Sequence, residues 1–126
     1  MVLSLPLTRR TRGLIGERQL GWMRKDAILV NVARGALVQE KALYEHLKKN
    51  PGFRAGIDTW WIEPPTHGEF RTDYPFFELE NVLGSPHNSN LVGGIFLVAL
   101  KSAVDNARRF LADMPLQGVV DPSDYL

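Results

Sequence analysis

Arg34, Asp58, Glu63 and His87 share one feature of placement: each stands at or shortly after the end of a short apolar, β-favouring run, as do Pro6 and Thr8. Imidazole, with an ordinary pKa near 6.5, can take up or release a proton close to neutral pH. A carboxylate such as Glu63 on the second ring nitrogen of His87 would fix its tautomer and favour the imidazolium. A guanidinium such as Arg34 can hold a carboxylate and a carbonyl through two parallel bonds. A base, a carboxylate behind it and an anion anchor are what interconversion of a 2-hydroxy acid and a 2-keto acid asks of a protein. No side chain accepts a hydride, so that reaction would need a nicotinamide. Taken one at a time, the residues also fit plainer roles. An arginine after a strand commonly serves a surface ion pair, and Glu63 before Pro64 can simply face water.

The elements that must position these residues alternate between strand and helix. Met1–Leu5 reads as a short strand stopped by Pro6, and nothing in the sequence precedes it. Thr11–Lys25 reads as a loop and a helix, weakened by Gly16 and Gly21. Ala27–Ala33 is a continuous apolar run, the pattern of a strand buried on both faces, and Gly35 breaks it. Gln39–Lys49 has Ala42, Leu43, His46 and Leu47 at helical spacing and is ended by Asn50-Pro51-Gly52. Phe53–Thr59 is a third strand. Trp60–Glu80 has three prolines and no period, and reads as a long loop. Asn81–Ser85 is a fourth strand, and Leu91–Ala112 an amphipathic helix. The alternation predicts an α/β fold with a mostly parallel sheet. In such sheets ligands bind beyond the carboxyl ends of the strands, where all the candidate residues lie.

The 126 residues suit one domain, with 44% hydrophobic and 23% charged residues and a net charge of +1. That balance gives no reason to expect a nucleic acid or membrane surface as partner. The absence of cysteine excludes disulfides and thiolate metal sites and fits a reducing cytoplasm. Met1–Leu7 lacks the form of a signal peptide, and Leu91–Leu100 is about half the length that spans a bilayer. His46, His67 and His87 have no metal-ligand spacing, so no metal site is expected. His46 reads as a partly buried helix residue. Trp60-Trp61 and the Tyr74–Phe77 cluster read as packing anchors.

Leu5-Pro-Leu-Thr8, Arg12-Gly-Leu-Ile-Gly16, Ile28–Gly35, Gly56-Ile-Asp58, Glu63-Pro64 and Ser85-Pro-His87 occur in an order and spacing that resembles the D-isomer-specific 2-hydroxyacid dehydrogenase family. The match covers nearly the whole chain, and Val119-Val-Asp-Pro122 is similar to the family's usual C-terminus. The resemblance implies a partial Rossmann-like, doubly wound domain. Residues 1–90 would form the C-terminal half of the NAD-binding domain, and residues 91–126 a long helix and a tail returning to the substrate domain. It implies NAD as cofactor, with NADP equally allowed, and a small 2-hydroxy or 2-keto acid as substrate. Arg34 would bind the substrate, Glu63 would orient His87, and His87 would be the acid/base. Asp58 would contact the nicotinamide carboxamide. Leu5, Pro6, Val32 and Ala33 would line the dinucleotide, with Thr8 as a further contact, and Arg34 and His87 would border it.

The sequence departs from the family pattern in two places. No G-x-G-x-x-G turn occurs in it, nor the acidic residue that follows that turn. After His87 stand Asn88-Ser-Asn90 where the family usually has small residues. The chain therefore reads as the truncated second half of a domain, with its first strand an apolar edge. That edge predicts that the chain self-associates into a dimer or larger homo-oligomer, is completed by an N-terminal portion, or is only marginally stable alone. Two other readings stand beside the dehydrogenase: a dinucleotide-binding, corepressor-like interaction module, and an inactive gene remnant.

Overall fold

The computed structural model describes residues 1–125 and divides into two units, Met1–Ser89 and Asn90–Leu126. The first unit is a sheet of four parallel strands in the order β1-β2-β3-β4. They are β1 (Val2–Leu3), β2 (Ile28–Asn31), β3 (Arg54–Ile57) and β4 (Val82–Gly84). Between them come α1 (Glu17–Gly21), α2 (Glu40–Lys49) and a one-turn helix, α3 (Pro64–His67). Because the strands run parallel, their carboxyl ends share one edge of the sheet. Leu5, Val32, Asp58 and Ser85 lie on the segments leaving that edge.

The core forms on one face. Leu29, Ala55 and Ile57 alternate inward and pack with Leu20 of α1 and with Leu43 and Leu47 of α2. The expectation that the second strand is buried on both faces is corrected. Ile28 is 52% exposed, and Val2 and Leu83 also lie open, because α1 and α2 join the core of the opposite face only. Strand alternation divides a mostly apolar run between two environments, and composition does not say which will be covered.

Helix limits are tighter than the apolar periodicity suggests. Of Thr11–Lys25 only Glu17–Gly21 is α-helical. The preceding residues are drawn into a loop by Gly13 N–H bonding to the Ala36 carbonyl, Ile15 N–H to Leu37 and Gln39 N–H to Ile15. The helix α2 begins one residue later than expected and ends at Asn50, whose Nδ2 donates to the His46 carbonyl at 2.9 Å. The long loop of the sequence reading is largely structured. Ile62 bridges Arg71, α3 forms on Pro64-Pro65, and Phe76–Glu78 makes a 3-10 turn that buries Phe76 completely. Aromatic packing does this: Trp61 stacks on Phe76 at 5.3 Å and donates its indole N–H to the Val38 carbonyl. Apolar periodicity does not reveal order held by ring contacts.

The second unit consists of α4 (Ile95–Leu111) and a tail that folds back along it. Asn106 clamps Gln117 in both directions, Nδ2 donating to its carbonyl at 2.7 Å and Oδ1 accepting its N–H at 3.0 Å. Among the described residues no helix is long and apolar enough to cross a membrane.

Candidate active site

The carboxyl edge of the sheet is shaped by short polar side chains at the strand ends and in the loops that leave them. At the end of β2, Asn31 is buried, accepting the Ala33 N–H on Oδ1 and donating Nδ2 to the Arg34 carbonyl at 2.9 Å. That loop presents Val32 and Arg34 to solvent while Ala33 turns inward. The guanidinium of Arg34 is braced by a 2.6 Å bond from Nη1 to the Ala33 carbonyl. Gly35 follows because nothing larger fits: a Cβ there would lie 2.4 Å from the carbonyl atoms of Trp60. The Arg34 loop is thus pressed against the segment leading to Glu63.

In the loop that leaves β1, Thr11 organises the chain. Its hydroxyl donates to the Pro6 carbonyl at 2.7 Å and accepts the Thr8 N–H at 2.8 Å. Pro6 is exposed, and Leu5 and Thr8 are half-buried.

The ends of β3 and β4 meet. Asp58 is buried; Oδ1 accepts the Ser85 hydroxyl at 2.6 Å and the Asn88 N–H, and Oδ2 accepts the Ser89 N–H. Burial pulls the Asp58 carboxyl upward, but the bonds from Ser85, Ser89 and Asn88 together outweigh it and hold its pKa down at about 2. Glu63 accepts the Trp60 N–H on Oε1 at 2.8 Å, and its Oε2 lies 2.9 Å from Nδ1 of His87. The structure therefore unites Asp58, Glu63 and His87 in one hydrogen-bonded cluster and sets Arg34 beside it through Gly35. Leu5, Pro6 and Thr8 lie across the sheet, on the segment after β1.

With Nδ1 turned to Glu63, Nε2 is the nitrogen of His87 free to exchange a proton with a ligand. Proton transfer at an imidazole backed by a carboxylate, beside an exposed guanidinium, is the chemistry this edge can perform.

Residues 1–89 match the family model described as D-isomer specific 2-hydroxyacid dehydrogenase, NAD binding domain. The chain belongs to this family. It is 37% identical over 121 residues to glycerate dehydrogenase of Methylorubrum extorquens, covering 96% of this chain and 37% of that protein. It is 46% identical over 87 residues to D-3-phosphoglycerate dehydrogenase of Methanocaldococcus jannaschii, covering 69% of this chain and 16% of that one. Among solved structures, a D-isomer specific 2-hydroxyacid dehydrogenase of Xanthobacter autotrophicus Py2, in complex with NADPH and MES, superposes with a TM-score of 0.80. The two are 34% identical, and the match covers 96% of this chain and 47% of that one. The chain thus spans under two fifths of the curated relatives and carries sequence of the family's NAD-binding domain.

Four contributors to this site lay outside the sequence reading: Asn31, Thr11, Ser85 as a ligand of Asp58, and the Trp60 N–H on Glu63. Short polar side chains at strand ends are a usable signal for Asn31 and Ser85, and a threonine in a turn for Thr11, because such residues commonly bond to nearby backbone. The contact through the Trp60 backbone has none.

Proposed function

We propose that this chain supplies the proton-transfer and substrate-anchoring half of an NAD(P)-dependent oxidoreductase of D-2-hydroxy acids. The observation that carries the reading is the Glu63–His87 pair at the carboxyl edge of a parallel sheet, with the exposed Arg34 loop packed beside it. In the oxidative direction His87 takes the hydroxyl proton on Nε2, and Glu63 stabilises the resulting imidazolium. Arg34 holds the substrate carboxylate and the oxygen that becomes the carbonyl, which sets its orientation. A bound nicotinamide supplies the acceptor for the C2 hydride.

The residues at this edge fit the nicotinamide end of a dinucleotide. Val32, Pro6 and Leu5 offer accessible apolar surface beyond β1 and β2, next to Ala33, Thr8 and Arg34. Asp58, held ionised by its hydrogen bonds with a pKa of about 2, is the carboxylate at this edge that would accept a carboxamide N–H. Two relatives of the chain, from Pectobacterium species, are named glyoxylate/hydroxypyruvate reductase B, and each is 36% identical to it over 122 residues. Glyoxylate and hydroxypyruvate are therefore the substrates to try first.

The test is a titration of the 126-residue chain with NADH and with NADPH, followed by nicotinamide fluorescence. It is repeated on Arg34→Ala and Asp58→Ala and followed by assays with both keto acids. Saturable binding weakened by Asp58→Ala, with keto-acid reduction abolished by Arg34→Ala, is the expected result. A folded sample that binds neither nucleotide and reduces neither acid overturns the reading for this chain.

A further inference from the structure

We propose that Trp60 is a positioning residue for His87, its backbone holding the partner carboxylate while its indole holds the turn that carries the imidazole. The inference rests on the reading of His87 as the proton-transfer group.

His87 has φ of 53°, in the left-handed region that a side chain other than glycine seldom occupies. Such a conformation persists only where its surroundings dictate it. Here both feet of the turn are tied down. Ser85 donates its N–H to the Ile57 carbonyl at 2.9 Å and its hydroxyl to Asp58, and its carbonyl accepts the Trp60 indole N–H at 2.9 Å. On the far side, Asn88 and Ser89 both donate to Asp58 at 3.1 Å. His87 is left as the apex, and the bond to Glu63 fixes its ring.

Trp60 touches both halves of this arrangement. Its backbone N–H holds Oε1 of Glu63, and its indole holds the carbonyl two residues before His87. The ring is itself immobilised. It is 5% exposed, lies 5.0 Å from the Phe77 ring and 5.6 Å from Phe70, and covers Gly84 so closely that a Cβ there would come within 2.8 Å of Cζ2. One rigid side chain thereby sets the spacing between the imidazole's turn and the carboxylate. A phenyl ring at position 60 would pack but could not make the bond to Ser85.

The test reads geometry and uses no nucleotide, so its failure is distinguishable from failure of the dehydrogenase reading. In Trp60→Phe, amide hydrogen exchange at Asn88 and Ser89 is expected to quicken about fivefold, the worth of one net hydrogen bond. The imidazole ¹⁵N signals of His87 should shift as its contact with Glu63 loosens, while Leu29 and Phe53 amides keep their protection. In the unaltered chain, a through-bond coupling between Trp60 Nε1 and the Ser85 carbonyl carbon should be measurable. The Trp60 indole proton should also exchange far more slowly than that of Trp22, which is 69% exposed. Unchanged His87 signals in Trp60→Phe, exchange that quickens equally throughout the core, or a Trp60 indole proton as labile as that of Trp22 would each overturn the proposal.

Discussion

Glu63 and His87 are joined at 2.9 Å between Oε2 and Nδ1 although 24 residues separate them in the chain. The contact exists because β3 and β4 are parallel neighbours whose carboxyl ends open on the same edge. The carboxylate does not reach for the ring from a free loop, since the Trp60 N–H holds its other oxygen. A pair fixed at both ends is pre-organised, which is what directional proton transfer requires.

Replacing Glu63 with Gln should therefore free the imidazole without unfolding the sheet. The neutral amide cannot supply the charge-assisted bond, worth about 1.5–3 kcal/mol. We expect the Nδ1 proton of His87 to exchange faster with solvent and its ring signals to broaden in ¹⁵N-edited spectra. A ring spectrum identical to that of the parent would show that the contact does not persist in solution.

The depressed pKa of Asp58 makes acid stability a test of its hydrogen bonds. A carboxyl held below its ordinary value contributes stability that is complete above that value, 3.8, and is lost as the pH falls through about 2. The contribution is on the order of 2 kcal/mol. Denaturant unfolding measured from about pH 5 downward should show this loss in the parent and not in Asp58→Asn, which would already be weaker at neutral pH.

His46 gives a second window at higher pH. Burial first, and Lys49 second, lower its pKa from the ordinary 6.5, and its buried Nε2 has no hydrogen-bond partner among the described residues. Neutral imidazole is thus the form that the fold accommodates, packed edge-on against Phe53 at 4.6 Å. Stability should be complete above pH 6.5 and decline as the pH falls through the lowered value. In thermal melts His46→Phe should abolish that decline.

Gly35→Ala should be among the more damaging small substitutions in the chain. Its methyl would meet backbone atoms of Trp60 and Trp61 at 2.4–2.7 Å, and backbone cannot rotate aside. A loss of about 1–3 kcal/mol is expected from such overpacking. The denaturation midpoint should fall, and NADH binding should weaken with it because the Arg34 loop is displaced. Unchanged stability would mean that the two segments lie farther apart than the structure shows.

Much of the fold could be read from the residues in order. Alternating apolar runs and amphipathic stretches are local patterns with periods of their own, and they sufficed to place four strands, the α2 helix and the long final helix. The rule that parallel strands open their carboxyl ends on one edge then puts Arg34, Asp58, Glu63 and His87 on that edge. What lay beyond the sequence depends on contacts between distant segments. The order in Trp60–Glu80 comes from Trp61 and Phe76 stacking, and the left-handed turn at His87 from Asp58 and Trp60. The division of the Ala27–Ala33 run into a covered and an open face depends on which side the helices occupy. Sequence by itself determined which chemistry this protein could hold, because residue type and strand end are local properties. Only the tertiary structure decided which atoms meet, because a hydrogen bond at 2.9 Å is set by every element that packs behind it.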